Sequence, residues 1–114
     1  MSLDKHMEQS FPREPKVVFQ AVLAGLEKLD AKTVKSEPEQ YRIELKLPKV
    51  MLGKTLGERT YVTCEARAQE VGALLVVDAY PLDALERKLL FGARKGVTQM
   101  AVDMLLEQVG QHLA

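Results

Sequence analysis

From Gln40 to Leu47 the side chains Tyr41, Ile43, Leu45 and Leu47 alternate strictly with Gln40, Arg42, Glu44 and Lys46. A two-residue period of this kind is that of a strand with one dry face and one wet face. Such strands belong to antiparallel sheets, and the dry face must be covered by another layer. Two helical patterns elsewhere in the chain can supply that layer.

The first runs from Pro15 to Leu29, where Val18, Val22, Leu26 and Leu29, joined by Phe19 and Leu23, fall on one face of a 3.6-residue repeat. Pro15 sits where a first helical turn tolerates proline. Gly25 lies on or beside this apolar face, which predicts close packing against the sheet. The second pattern spans Thr98 to Leu113, with Ala101, Val102, Leu105, Leu106, Val109 and Leu113 forming a stripe that Val97, Met100 and Met104 widen. A stripe this wide predicts burial on more than one side.

Between the helices the chain reads as strands and turns. Lys32 to Ser36 is expected to be a strand that turns through Glu37-Pro38-Glu39 into Gln40–Leu47. Pro48 ends that ladder, and Pro48 to Gly57 is expected to be a loop, unusually apolar because it carries Val50, Met51, Leu52 and Leu56. Arg59 to Ala68 alternates again, with Thr60, Val62, Cys64, Ala66 and Ala68 on one side. After a turn at Glu70-Val71-Gly72, Ala73 to Tyr80 is nearly continuously apolar and is expected to be covered on both faces. Residues 1–11 are either a weakly ordered, vector-derived start or, over His6 to Phe11, a short first strand. In Pro81 to Gly96, Leu82, Leu85, Leu89 and Leu90 have helical spacing, and four basic against two acidic residues make the segment locally basic.

The chain of 114 residues is long enough for one α+β domain with a real core. Sixteen basic residues balance sixteen acidic ones, so no net field favours nucleic acid or an anionic membrane. The single cysteine, Cys64, cannot form an internal disulfide, and a soluble cytoplasmic protein is expected. Neither a membrane span nor the apolar core of a signal peptide is legible.

No chemistry-bearing constellation emerges. His6 and His112 lack neighbouring ligands at metal spacing. Cys64 shares its side of a strand with Val62 and Ala66, so a buried, inert thiol is expected. Glu37 and Glu39 flank a proline in a solvated turn. Asp78 is the one carboxylate inside an apolar strand, and an ion pair with an arginine or lysine is expected for it. Gly53-Lys54-Thr55 lacks the upstream glycine of a phosphate loop. Arg42, Lys46, Arg59 and Arg67 beside Tyr61 suggest an RNA-stacking sheet only superficially, because Glu44 and Glu65 interrupt them; a cross-strand charge ladder is expected instead. No catalytic residue, metal or cofactor is expected, and enzyme activity ranks last.

Read in order, the elements are β-α-β-β-β-β-α. This order resembles the TATA-binding-protein-like and helix-grip class of small domains, and it covers most of the chain. The resemblance implies one antiparallel sheet of four to five strands against an N-terminal and a long C-terminal helix. It implies little about function. Larger helix-grip lipid carriers, similar to the START and pollen-allergen group, have more strands and an extra short helix pair, so no deep lipid cavity is implied.

Two functional expectations follow. The first is an interaction module that forms a homodimer through apolar surface, because the last strand, the last helix and the segment between them carry more apolar residues than one sheet and two helices readily absorb. The second is a carrier of a small apolar or amphipathic ligand between the sheet and the C-terminal helix. Met51, Leu52, Leu56, Leu89, Leu90, Phe91, Met100 and Met104 are the candidate ligand or interface residues, with Lys54, Arg94 or Lys95 to hold a head group. Membrane contact through Leu82 to Lys95 is a third, less favoured expectation.

Overall fold

The computed structural model describes residues 4–49, 51–52, 55–56, 58–83, 85–89 and 96–114. Its elements are β1 (Lys5–Phe11), α1 (Pro15–Lys28), β2 (Lys32–Glu37), a 3-10 turn (Pro38–Gln40), β3 (Arg42–Leu47), β4 (Met51–Leu52), β5 (Thr55–Leu56), β6 (Thr60–Ala68), β7 (Ala73–Pro81) and α2 (Val97–Leu113). Five strands form one antiparallel sheet in the order β1-β7-β6-β3-β2. The N-terminal stretch is therefore a strand, zipped along β7 from Lys5 opposite Ala79 to Phe11 opposite Ala73.

Alternation decides the faces as expected, except that Ala68 at the end of β6 is exposed. Ile43, Leu45 and Leu47 of β3, Val62, Cys64 and Ala66 of β6, and Ala73, Leu75, Val77 and Ala79 of β7 are buried on the inner face. Val18, Val22 and Leu26 of α1 and Ala101, Val102, Leu105 and Val109 of α2 close over them. Burying each valine, leucine or isoleucine among them stabilises the fold by roughly 1.5 to 3 kcal/mol before conformational entropy is set against it. The stripe of α2 packs on two sides, against the sheet and against α1, and leaves Met100 and Met104 exposed at its margin.

Gly25 has a different neighbour from the one its helix pattern suggests. A methyl group at its Cα would lie 3.0 Å from Gln108 Cβ, so the close approach is to α2 and not to the sheet. Gly25 faces Gln108 and Val109, while Leu29 shares a cleft with Ala101 and Met104, so the two helices run antiparallel. Gly72 meets a harder constraint: its φ is +83°, and a Cβ there would sit 2.0 Å from the Phe11 carbonyl oxygen. Only glycine lets the β6–β7 turn tuck under the end of β1.

Four expectations are revised. Tyr41 is not in the strand: it ends the 3-10 turn in a left-handed conformation (φ 52°), and its ring packs at 5.9 Å from that of Phe19. The 48–57 segment is not all loop, because Met51–Leu52 and Thr55–Leu56 pair as a short antiparallel hairpin. The 82–89 segment is not helical in its described residues. Leu82 and Lys88 form an isolated antiparallel bridge, and the Asp83 carboxylate accepts hydrogen bonds from the backbone N–H groups of Leu85 (2.8 Å) and Arg87 (2.9 Å). That local competition from an aspartate defeats the leucine spacing. Finally, β7 is covered on both faces only in part: Val76 is buried on the outer face, but Asp78 is exposed.

Candidate functional site

The outer face of the sheet is a ladder of satisfied charges. Arg42 contacts Glu37, Glu44 and Glu65, and Arg67 contacts Glu65. The Tyr61 hydroxyl donates to Glu44 Oε1 at 2.7 Å. Burial, with that hydrogen bond, pushes the Tyr61 phenol up to about 12. Its ring stacks on Tyr80 at 5.1 Å, and the Lys88 ammonium lies over the Tyr80 ring at 5.1 Å. Sequence alone does not bring Tyr80 to this face beside Tyr61, because only the pairing of β6 with β7 sets the two residues opposite one another. Each ring therefore covers one face of the other.

Asp78 faces water and pairs with a histidine, not with the arginine or lysine expected. His6 stands opposite it in register, with Nδ1 2.6 Å from Asp78 Oδ1 and Nε2 3.1 Å from Glu8 Oε1. These hydrogen bonds, Asp78 first, raise the His6 imidazole above its usual value. Cys64 is fully buried, and burial pushes its thiol up to about 12, which leaves no thiolate to attack anything near neutral pH. Among the described residues, no group of three or more histidine, cysteine or acidic side chains could hold a metal ion.

What remains is one end of the sandwich. Leu47 ends β3 opposite Thr60, and Thr60 lies opposite Pro81 at the end of β7, so three strands terminate together. The hairpin β4–β5 departs from this end, and α2 begins near it. Here Leu29, Leu47, Pro48, Ala101 and Met104 line an apolar cleft with a cavity of about 20 Å³. That is room for roughly one water molecule, against the ~300 to 1,000 Å³ of pockets that enclose drug-sized ligands. Met104 and Met100, on successive turns of α2, are 39% and 38% exposed, so neither is core filler.

The 82–88 turn is tied to the same end. Glu86, held in a left-handed conformation (φ 61°), accepts a hydrogen bond from Lys46 at 3.2 Å and pairs with Arg59. Hydrogen bonding from Lys46 holds its carboxyl below the usual range. Lys88 donates to Asp4 at 2.9 Å. Leu85, at the tip, is 71% exposed.

Of the candidate residues named from sequence, Met104 lines the cleft and Met100 stands one turn away. Met51, Leu52 and Leu56 lie in the hairpin that follows Pro48, where only their backbone is described. Leu89 is half-buried and donates its backbone N–H to the Pro81 carbonyl at 2.9 Å, which places it at this end too. Leu90 and Phe91 lie outside the described residues, as do Lys54, Arg94 and Lys95. Leu29, Leu47, Pro48 and Ala101 were missed, because each is explained by its own strand or helix pattern and only folding makes them one surface. No described helix is long and apolar enough to cross a membrane.

No family model and no curated protein matches the sequence. Solved structures do match in shape. Protein MLL2253 from Mesorhizobium loti superposes with a TM-score of 0.63 at 13% identity, over 96% of both chains. Ara h 8.0201 gives 0.59 at 14% identity, over 96% of this chain and 97% of that one. TTHA0849 from Thermus thermophilus gives 0.57 at 15% identity, over 96% and 95%. The chain is similar to these proteins in fold alone, and that fold is of the helix-grip type its element order resembles.

Proposed function

We propose that this domain is a binding module that takes up a small apolar or amphipathic ligand at the open end of its helix–sheet sandwich. The observation that carries this reading is the cleft of Leu29, Leu47, Pro48, Ala101 and Met104. There an apolar crevice opens between the end of β3 and the two helices. Its small volume means that a ligand enters by displacing Met104, whose unbranched thioether side chain re-packs at little cost.

The apolar residues of the last strand and the last helix that favoured self-association are largely absorbed within one chain, whereas Leu85 of the segment between them is exposed and Leu90 and Phe91 lie outside the described residues. Ala73, Leu75, Val77 and Ala79, with Val97, Ala101, Val102, Leu105 and Val109, are all buried. The edge strand β2 is also a poor template for a second sheet, because its residues Lys32 to Ser36 are exposed, two are lysines, and the register shifts between Thr33 and Lys35. One observation still favours a homodimer: Met100 and Met104 present adjacent exposed apolar surface on α2.

Native mass spectrometry of freshly purified protein separates the two readings. A monomer carrying extra mass that is lost on denaturation supports the ligand carrier. A bare dimer selects self-association. A bare monomer that also shows no change in the methyl NMR signals of Met100 and Met104 on titration with 1-decanol overturns the carrier reading.

A further inference from the structure

Among the described residues, two polar side chains are buried, Thr60 at 0% exposure and Thr98 at 6%. Neither lines the cleft, but each adjoins a residue that does. Thr60 is the direct cross-strand neighbour of Leu47, which lines the cleft, and Thr98 precedes Ala101, another lining residue, by one helical turn. Among the described residues the Thr60 hydroxyl, like the Gln108 side-chain carbonyl, is buried without a hydrogen-bond partner. Its inner-face neighbours on the same strand, Val62, Cys64 and Ala66, are all apolar.

An unpaired buried hydroxyl is a liability that valine, of the same shape, would remove. Resting on the carrier reading above, we infer that Thr60 is the polar anchor of the site, and that the ligand is an amphipathic molecule with one neutral hydrogen-bonding group, an alcohol or a carbonyl, at its buried end. A hydroxyl both donates and accepts, so it serves either group. It cannot offset the burial of a full charge, and no described residue lining the cleft is charged. The apolar walls then hold the ligand's hydrocarbon part, with Met104 closing over it.

The test compares 1-decanol, undecane and decanoate binding to the wild type, Thr60→Val and Thr60→Ser, followed by methionine methyl NMR alongside thermal melts. Thr60→Val is expected to weaken decanol binding about tenfold, to leave undecane unchanged, and to melt at or above the wild-type temperature. Thr60→Ser is expected to retain decanol. Equal decanol affinity in wild type and Thr60→Val overturns the anchor while leaving the carrier intact. Equal loss of decanol and undecane with a lowered melting temperature also overturns it, since Thr60 would then act by packing. Decanoate binding more tightly than decanol overturns the neutral head group. A wild type that binds none of the three defeats the carrier reading itself.

Discussion

Gly25 and Gln108 bring the two helices together so closely that a methyl group on Gly25 would lie 3.0 Å from Gln108 Cβ. That Cβ is fixed to the α2 backbone, so it gives way only if the helix moves. Opposing this, alanine is favoured over glycine inside a helix by about 1 kcal/mol.

Gly25→Ala is therefore expected to destabilise the fold despite its better propensity, because overpacking costs ~1 to 3 kcal/mol. Gly25→Val is expected to cost more. Chemical denaturation of the two variants checks this, and a stabilised Gly25→Ala would mean that α2 shifts freely over α1 and the sheet.

Leu105 and Leu85 have the same side chain in opposite surroundings, one fully buried between sheet and helix and the other 71% exposed at a turn tip. Leu105→Ala is expected to cost ~2 to 5 kcal/mol, and Leu85→Ala no more than ~0.5 kcal/mol. Equal midpoints for the two variants in urea would contradict the burial assigned to α2.

His6 joins β1 to β7 through Asp78 and reaches Glu8 on its own strand. Because its folded pKa lies above the ordinary 6.5, the protonated imidazole contributes stability that is complete below pH 6.5 and is lost as pH rises through the folded pKa. Melting temperature is expected to fall across that window in the wild type, and this slope is expected to vanish in His6→Gln. An NMR titration that places His6 at or below 6.5 would refute the pairing.

The contrast between β3 and the 82–89 segment explains how much could be read in advance. Arg42 to Leu47 obeys its own alternation because burial on one face is a local, periodic demand. The spacing of Leu82, Leu85 and Leu89 looks equally periodic, yet Asp83 captures the backbone N–H groups of Leu85 and Arg87 and folds the segment into a turn. Met51 to Leu56 similarly looks like an apolar loop, because two-residue strands are too short to show a period.

By itself the sequence determined strands β3, β6 and β7 with their buried faces, both helices and the burial of Cys64, since each of these follows from periodicity or composition within a single segment. Tertiary structure alone decided that Gly25 meets α2, that His6 meets Asp78, that Tyr80 stacks on Tyr61, and that Leu29, Leu47, Pro48, Ala101 and Met104 converge beside the buried hydroxyl of Thr60. The physical reason is that these relationships join residues far apart in the chain, where strand order and helix packing set the distances and no local pattern records them.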